Sequence, residues 1–253
     1  MDVEELLTIA RVTLRFPNGR EVLRGIDLRV AAGEFVVILG SNGCGKSTLL
    51  KSIVRLLTPA SGSIRVGGEE FSTLSGRALQ AARRAVGMVS QQANLVRRRS
   101  VVANVCSGAL GRHSDLRTQL GFVPPTELPN AYRLLELVGL ADRAEQRAGT
   151  LSGGQAQRVS IARALAQRPR VLLADEPIAS LDPEASEDIL ALLRRLAKEE
   201  GLAVLCVLHQ PQLARKYADR LVGLRDGIVA FDDSPGRVHE EQIAALYGLG
   251  VAA

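Results

Sequence analysis

One stretch restricts the possible folds of this chain more than any other: nine residues that join an unbroken apolar run to an amphipathic helix. The apolar run is Phe35–Gly40, which predicts a strand buried on both faces. The joining residues are Gly40–Thr48, with glycine at three positions. A single apolar helix face follows, made by Leu49, Leu50, Ile53, Val54 and Leu57. A strand, a glycine-rich loop and a helix in this order indicate an α/β core.

Strand and helix patterns alternate along most of the chain. Short alternating patterns predict strands near the N-terminus at Val12–Phe16 and Ile26–Val30. Further strand candidates are Ser61–Gly68, Ala85–Gln91, Arg170–Glu176, Leu202–His209 and Leu221–Gly227. A long helix is predicted with Asp182 as its N-cap, Pro183 at its first position and Gly201 at its end. We therefore predict an α/β fold with a mainly parallel sheet.

The middle of the chain has a different pattern. Between about residues 93 and 150 there is little strand signal, and helical stretches such as Asn130–Ala148 dominate. The stretch Gly111–Pro129 is polar and rich in turn residues. We predict a core formed by residues 1–92 and 151–253, with a helical subdomain of residues 93–150 inserted into it.

Composition disfavours several functional classes. The chain has 253 residues and is 46% hydrophobic, but its apolar runs are far shorter than the roughly 20 residues that span a bilayer. The acidic N-terminus lacks a signal-peptide pattern, and the three cysteines lack metal-ligand spacing, so we expect a protein that stays inside the cell. The net charge is +5, but three Tyr, five Phe and no Trp offer few surfaces for stacking bases. We expect no nucleic-acid partner.

The glycine-rich stretch fits the pattern G-x-x-x-x-G-K-[ST], the phosphate-binding P-loop, and has the strand–loop–helix context that the motif requires. Backbone N–H groups of such a loop turn inward onto phosphate oxygens at the positive end of the helix. Lys46 is expected to reach the β- and γ-phosphates, and the Ser47 hydroxyl to bind Mg²⁺. The predicted phosphate-contacting residues are Gly40, Ser41, Asn42, Gly43, Cys44, Gly45, Lys46, Ser47 and Thr48.

An acidic pair follows the apolar run Val171–Ala174. Asp175 is expected at the carboxyl end of a buried strand, where ligands bind in open α/β sheets, and would hold Mg²⁺ through its shell. Glu176 would orient or deprotonate an attacking water. Taken alone, such a pair is as often a strand end before a solvated turn, but the P-loop upstream favours the catalytic interpretation.

Two further polar residues follow predicted strands. His209 ends a strand that we expect beside the one carrying Asp175, which suggests contact with a γ-phosphate; a lone histidine there is more often structural. Gln91 is a candidate metal or water ligand where the core passes into the insertion, and Gln92 could have the same role.

Taken in order, these motifs resemble the ATPase subunits of ABC transporters over essentially the whole chain. The matching segments are Gly40–Thr48, Gln91, the LSGGQ signature at Leu151–Gln155, Asp175–Glu176, Ser180–Asp182 and His209. The resemblance implies a P-loop NTPase fold with a RecA-like core, an N-terminal antiparallel β part and an inserted α-helical subdomain. It also implies an enzyme that hydrolyses ATP with Mg²⁺.

The same resemblance implies a head-to-tail homodimer. Each ATP would lie between the P-loop of one copy and the signature motif of the other. Ser152, Gly153, Gly154 and Gln155 would then face the partner's nucleotide, with the helix dipole and backbone N–H groups directed at its γ-phosphate. ATP binding would close the pair, and hydrolysis would let it open.

Several single residues acquire roles by this resemblance. Phe16 matches the aromatic residue that stacks on adenine, although it could also be a core phenylalanine at a strand end. Gln91 matches the switch residue that senses the γ-phosphate, and with Ser47 and Asp175 it forms the expected metal site. Asp182 matches an aspartate of the dimer interface, which is compatible with N-capping. The expected catalytic residues are Lys46, Gln91, Glu176 and His209.

Parts of the chain look like the phosphonate-importer ATPase subfamily. The segments that do so are Gly108–Gly121, Ala174–Ser186 and Leu208–Asp232, and the glutamine after His209 is among the most telling matches. This implies transmembrane permease subunits, a periplasmic or lipid-anchored substrate-binding protein, and a peripheral position on the cytoplasmic membrane face. The insertion would receive a coupling helix of the permease. Residues 112–117 could tailor that contact or form a solvated loop.

Other machines remain open as alternatives. An amino-acid importer or a lipoprotein-release system would use the same kind of ATPase. A soluble ABC ATPase acting on DNA or ribosomes is disfavoured, because those usually carry a long coiled-coil insertion or a fused second ATPase half, and this sequence has neither.

Overall fold

The computed structural model describes residues 4–113, 118 and 122–248. Strands are numbered in sequence order, and the larger sheet contains β3 (Phe35–Leu39), β6 (Val86–Val89), β7 (Val171–Asp175), β8 (Ala203–Val207), β9 (Arg220–Arg225) and β10 (Ile228–Asp233). Their spatial order is β10-β9-β3-β8-β7-β6. All neighbours are parallel except the hairpin of β9 and β10. The predicted mainly parallel α/β fold is confirmed, whereas β10 was not among the predicted strands.

The helices described are α1 (Lys46–Ile53), α2 (Gly76–Ala82), α3 (Val101–Ser107), α4 (Leu128–Leu137), α5 (Gly153–Leu165), α6 (Pro183–Glu200), α7 (Pro211–Tyr217) and α8 (Glu240–Leu246). Short 3₁₀ turns occur at Phe71–Thr73, Arg83–Ala85, Leu110–Arg112, Pro125–Glu127, Ala141–Arg143 and Ala148–Thr150. Within the described ranges, none of these helices has the length and apolar character needed to cross a bilayer.

The apolar run that forms β3 supplies both faces of the sheet with core residues. Phe35, Val37 and Leu39 belong to the apolar cluster that includes residues of α5 and α6. Val36 and Ile38 belong to a second cluster, which includes α1 and the N-terminal strands. Because successive side chains of a strand point to opposite faces, a strand covered on both sides must be apolar throughout. All five residues of β3 are buried, as that requires.

The smaller sheet is antiparallel. It contains β1 (Glu5–Arg15), β2 (Glu21–Ala31), β4 (Ser61–Val66) and β5 (Glu69–Glu70), in the order β2-β1-β4-β5. The antiparallel N-terminal β part is therefore confirmed, but β1 and β2 are both longer than the predicted strands. The pairing of β1 with β2 shifts register between Ile9 and Val12, and Arg11 has a φ of +48°. Such a bulge interrupts the alternation of apolar residues, so the pattern shows only part of the strand.

The described residues between β6 and α5 form helices and turns, and Ser100 and Arg147 make an isolated bridge among them. The helical pattern predicted for residues 130–148 is not one helix. α4 ends at Leu137, Gly139 follows with a φ of +70°, and the chain continues as a 3₁₀ turn. A positive φ after a helix is a common stop signal that the apolar pattern does not reveal. The division into a core and an inserted subdomain stays a prediction, and residues 114–117 of the polar loop lie outside the described residues.

Helix α6 begins and ends where the sequence predicts. The N–H of Ala185 donates to Oδ1 of Asp182 at 2.8 Å, which makes Asp182 the N-cap. Gly201 ends the helix with a φ of +66°. The predicted buried stripe is also present, at Ile189, Leu192, Leu193 and Leu196.

Candidate active site

Loops that carry predicted site residues leave the larger sheet at one edge. Val207 of β8 pairs with Ile38 of β3 on one side and with Asp175 of β7 on the other. Because the three strands are parallel, the loops that follow them start side by side at the carboxyl edge. The structure thereby brings together the Gly40–Thr48 loop, the acidic pair and His209.

The loop between β3 and α1 is shaped by glycines. Gly40 has a φ of +155°, and a Cβ there would lie 2.2 Å from the carbonyl oxygen of Leu224 on β9. Gly45 has a φ of +117° at the N-cap of α1. No other residue type would fit at Gly40, so the close approach to β9 explains the glycine independently of any ligand.

Lys46 already lies inside this loop. Its Nζ donates hydrogen bonds to the carbonyl oxygens of Gly40 at 2.8 Å and Ser41 at 2.9 Å, and the residue is 5% exposed. Phosphate oxygens could replace these acceptors without a large movement of the ammonium group. The Cys44 side chain is also buried, and burial raises the pKa of its thiol. Cys44 would therefore contact a phosphate through its backbone N–H group and not through its side chain.

Ser47 and Asp175 meet across the two loops. The Ser47 hydroxyl donates to Oδ1 of Asp175 at 3.0 Å. Burial, and secondarily the charge of Glu176, raise the pKa of the Asp175 carboxyl, although the Ser47 hydrogen bond and two lysines oppose that shift. The negative charge of Asp175 is disfavoured by burial and by Glu176, and a hydroxyl oxygen lies beside it. Such a pair suits a hard cation, which prefers oxygen ligands and would neutralise the charge.

Glu176 and His209 form a second pair beside the first. His209 Nε2 lies 2.5 Å from Oε1 of Glu176. Glu176 has a φ of +52°, a left-handed conformation that is unfavourable for a glutamate, and its N–H donates to the carbonyl oxygen of Val207 at 3.2 Å. Both side chains are partly exposed, at 23% and 33%, so a substrate and a water molecule can reach them.

The positions of Gln91 and Phe16 neither support nor contradict their predicted roles. Gln91 follows β6 and is exposed; within the described ranges it makes no hydrogen bond or ion pair. Because β6 pairs with β7, it lies near the edge that carries Asp175. Phe16 is partly buried and packs against the apolar cluster of the smaller sheet. A core role and a role in stacking on adenine both fit this placement.

The signature residues form the start of α5. Ser152 and Gln155 make a capping box: the N–H of Gln155 donates to Oγ of Ser152 at 3.3 Å, and the N–H of Ser152 donates to Oε1 of Gln155 at 3.1 Å. A Cβ at Gly153 would lie 3.1 Å from Leu181, and one at Gly154 3.0 Å from Ala185. Among the residues described, no hydrogen bond or ion pair joins this helix start to the Gly40–Thr48 loop of the same chain.

Two residues that sequence reasoning missed hold the chain around Gln91. Gln157 donates to the carbonyl oxygen of Ser90, and Arg163 donates to the carbonyl oxygens of Ala93 and Asn94. Gln157 is only 2% exposed. A polar side chain on a buried helix face, in register with Ile161, is a signal that could have indicated such a contact, since buried polar groups require partners.

Comparison with known proteins gives a consistent result. Residues 23–179 match the family model described as ABC transporter. A relative from Thiobacillus denitrificans, named Phosphonates import ATP-binding protein PhnC, is 48% identical across 95% of this chain and 92% of its own length. Relatives of similar name from Ruegeria sp. and Halalkalibacterium halodurans are 45% and 44% identical, each over at least 94% of both chains.

Solved structures agree with the fold. A protein from Clostridium perfringens, described as part of an ABC transporter complex, superimposes with a TM-score of 0.84 at 28% identity, covering 98% of this chain and 96% of that one. An ATP-binding cassette solved as a dimer bound to ADP and Pi has a TM-score of 0.77 at 32% identity, covering 90% and 98%.

Proposed function

Because the chain belongs to the ABC transporter ATP-binding family and is therefore an ATPase, we propose that it powers import of a phosphonate or a related phosphorus compound. The observation that carries the choice of cargo is the near full-length similarity to relatives named for phosphonate import. The ATPase itself does not touch the cargo, since separate proteins of the transporter select it.

The hydrolytic roles follow from the two side-chain pairs at the sheet edge. Lys46 would exchange its carbonyl acceptors for the β- and γ-phosphate oxygens of ATP. His209 holds one carboxylate oxygen of Glu176, which leaves the other oxygen free to accept a proton from the attacking water. In that position His209 would also contact the γ-phosphate, so both residues serve the same step.

The other pair, Ser47 and Asp175, has oxygen atoms of the kind that Mg²⁺ binds. The Ser47 hydroxyl and the Asp175 carboxylate would hold it, with the Gln91 amide oxygen as a further ligand from the adjacent strand end. Mg²⁺ usually takes few protein ligands and completes its shell with water and phosphate oxygens. The described residues contain no group of three or more His, Cys, Asp or Glu that could hold a metal alone. When bound, the ion would neutralise negative charge on the phosphate oxygens.

The active form would be a head-to-tail dimer. Within the described ranges, the backbone N–H groups of Gly153 and Gly154 make no hydrogen bond, and they lie at the positive end of a 13-residue helix, a site suited to phosphate. Among the described residues, no hydrogen bond or ion pair links it to the P-loop of its own chain. Ser152, Gly153 and Gly154 are therefore available to the nucleotide of a second copy, and Asp182 would lie at the same interface. A cassette of the same fold has been solved as a dimer with ADP and Pi.

The transporter would be completed by permease subunits and, through them, a substrate-binding protein. A groove of about 410 Å³ lies between the larger sheet and α3, and its lining includes Leu56, Met88, Ser107 and Arg163. Leu56, which is 62% exposed, contributes an apolar side chain to the lining of this groove. We propose that the groove receives a helix of the permease and so holds the chain against the cytoplasmic membrane face.

Growth on a phosphonate as sole phosphorus source tests the cargo. A strain lacking the gene should fail to grow, and the wild-type chain should restore growth whereas Glu176→Gln should not. The purified chain should hydrolyse ATP whichever cargo the transporter carries. Normal growth of the deletion strain, with a defect in amino-acid uptake or lipoprotein release instead, would reassign the ATPase to those machines. Co-purified membrane and substrate-binding subunits would identify the partners directly.

A further inference from the structure

Side chains of helix α5 donate hydrogen bonds to the backbone on both sides of Gln91. Gln157 Nε2 donates to the carbonyl oxygen of Ser90 at 2.9 Å, immediately before Gln91. Arg163 Nη2 donates to the carbonyl oxygen of Ala93 at 2.7 Å, two residues after it. The same guanidinium donates through Nη1 to the carbonyl oxygen of Asn94, also at 2.7 Å. Both neighbours of the Gln91–Gln92 dipeptide are therefore tied to one helix.

The backbone between these contacts has a defined shape. Asn94 has a φ of +49°, in the left-handed region that costs most residues roughly 1 kcal/mol and that asparagine tolerates better than others. Arg163 bonds the carbonyl groups on either side of this turn, so its planar fork matches the kinked conformation. Further along, the Val96 N–H donates to Oδ1 of Asn104 at 2.7 Å. Between Ser90 and Val96, the residues without a hydrogen bond of their own in the described part of the chain are Gln91, Gln92 and Leu95. Leu95 is held by packing against the apolar core, which leaves Gln91 and Gln92 as the exposed pair.

Arg163 is an unusual residue to find in this role. Its guanidinium is partly buried, which lowers its pKa, and no described carboxylate forms an ion pair with it. Its polar partners are the two carbonyl groups and the Ser160 hydroxyl at 3.4 Å. A desolvated cation is costly, and a role in stabilising helix packing alone could be filled by an apolar side chain. The geometry is better explained by a requirement for two donors at fixed positions.

We propose that Arg163 and Gln157 are positioning residues that hold Gln91 in the place from which it serves the nucleotide site. This inference rests on the proposed role of Gln91 in ATP hydrolysis. It adds a physical link: the helix that begins at Ser152, facing the partner's nucleotide, also fixes the Gln91 segment of its own nucleotide site. Arg163 further lines the groove proposed for the permease helix. One side chain thus contacts the groove and the segment that senses ATP.

The variants that test this are Arg163→Met, Arg163→Lys and Gln157→Ala. Arg158→Met is the matched control: Arg158 lies on the same helix and donates to Asp188 and to a backbone carbonyl, but it does not contact the Gln91 segment. Affinity for ATP should be unchanged within about twofold in all four, because the P-loop is untouched. kcat should fall about tenfold or more in Arg163→Met, less in Arg163→Lys, and little in the control, since misplacing a reacting group by about 1 Å can cost 100-fold.

A double mutant separates positioning from stability. If Arg163 acts through Gln91, Arg163→Met should slow hydrolysis in the wild type but add no further loss to Gln91→Ala, because the two changes remove one function. Multiplicative losses, or a Gln91→Ala variant with wild-type kcat, would overturn the proposal. Wild-type kcat in both Arg163 variants and in Gln157→Ala would do the same.

A readout that does not depend on activity keeps the two proposals distinguishable. A nitroxide attached to Gln92→Cys reports local mobility, since Gln92 is exposed and the three native cysteines are buried. Its spectrum should show a larger mobile fraction in Arg163→Met and Gln157→Ala than in the wild type and in Arg158→Met. Unchanged spectra would overturn the positioning role even if the chain is an active ATPase. A change in the spectrum together with wild-type kcat values would show that the two residues order the segment without serving hydrolysis, which would overturn their positioning role in catalysis but leave the proposed function intact.

Discussion

Replacing Asp175 by asparagine should make the nucleotide-free protein more stable while weakening its response to Mg²⁺ and ATP. Asparagine has the same shape and keeps the oxygen that accepts the Ser47 hydrogen bond, but it removes a charge that burial and Glu176 disfavour. Relieving a destabilised functional residue typically adds about 1 kcal/mol, and for a chain of this size that raises Tm by about 3 °C.

The sign of the pH dependence follows from the direction of the pKa shift. Because folding raises the pKa of Asp175, the folded wild type is relatively favoured when the carboxyl is protonated, below its unfolded value of 3.8. That advantage is lost as pH rises through the folded pKa. The stability gain of Asp175→Asn should therefore be full at pH 8 and shrink as the pH approaches 4.

Calorimetry in EDTA at several pH values measures this effect. Asp182→Asn is a suitable control, since asparagine caps a helix about as well as aspartate, and Tm should change little at any pH. At 100 times its Kd, Mg·ATP should stabilise the wild type by about 2.7 kcal/mol, and Asp175→Asn by much less. A nucleotide-free Asp175→Asn protein that melts below the wild type at pH 8 would refute the reasoning about the charge.

Other changes separate binding, hydrolysis and assembly. Glu176→Gln should bind ATP, hydrolyse it at least 100-fold more slowly and accumulate as a closed dimer in size-exclusion chromatography with ATP, because an amide is not a base; turnover at the normal rate would remove Glu176 from the mechanism. Lys46→Ala should lose nucleotide binding in a fluorescent-nucleotide titration, since two charge-assisted contacts disappear; tight residual binding would contradict the P-loop assignment. Mixing Ser152→Arg with Lys46→Ala subunits should leave one complete site, and a mixture as inactive as either variant alone would contradict the cross-subunit arrangement.

Much of the fold could be predicted from the sequence, because a strand that is buried on both faces is apolar at every position. β3 and β8 are apolar throughout, and the ends of α6 carry a capping aspartate and a glycine. β10 was missed although Ile228–Phe231 is an apolar run. The run is only four residues long, and only Phe231 in it is buried, so it lacks the length of the fully buried strands β3 and β8. The N-terminal strands were predicted too short because bulges break their alternation.

The residues of the candidate site also differ in how well the sequence predicts them. Phosphate-binding and acidic motifs are contiguous in sequence, so their chemistry can be predicted before the fold is known. The hydrogen bonds of Gln157 and Arg163 join residues about 70 positions apart, and only the packing of α5 against the end of β6 creates them. The predicted roles of Gln91 and Phe16 stay predictions, since both depend on a nucleotide.

The packing of Gly153 and Gly154 against Leu181 and Ala185 leaves room for hydrogen and little more. As a result, the start of the signature helix and the start of the helix capped by Asp182 pack closely together within a single copy, before any encounter. Two surfaces formed in advance at this point lose less conformational entropy on meeting than flexible surfaces would, so less of the free energy of nucleotide binding is needed to order them. Alanine at either position would require Leu181 or Ala185 to shift by a few tenths of an ångström, and larger side chains would disturb the contact further.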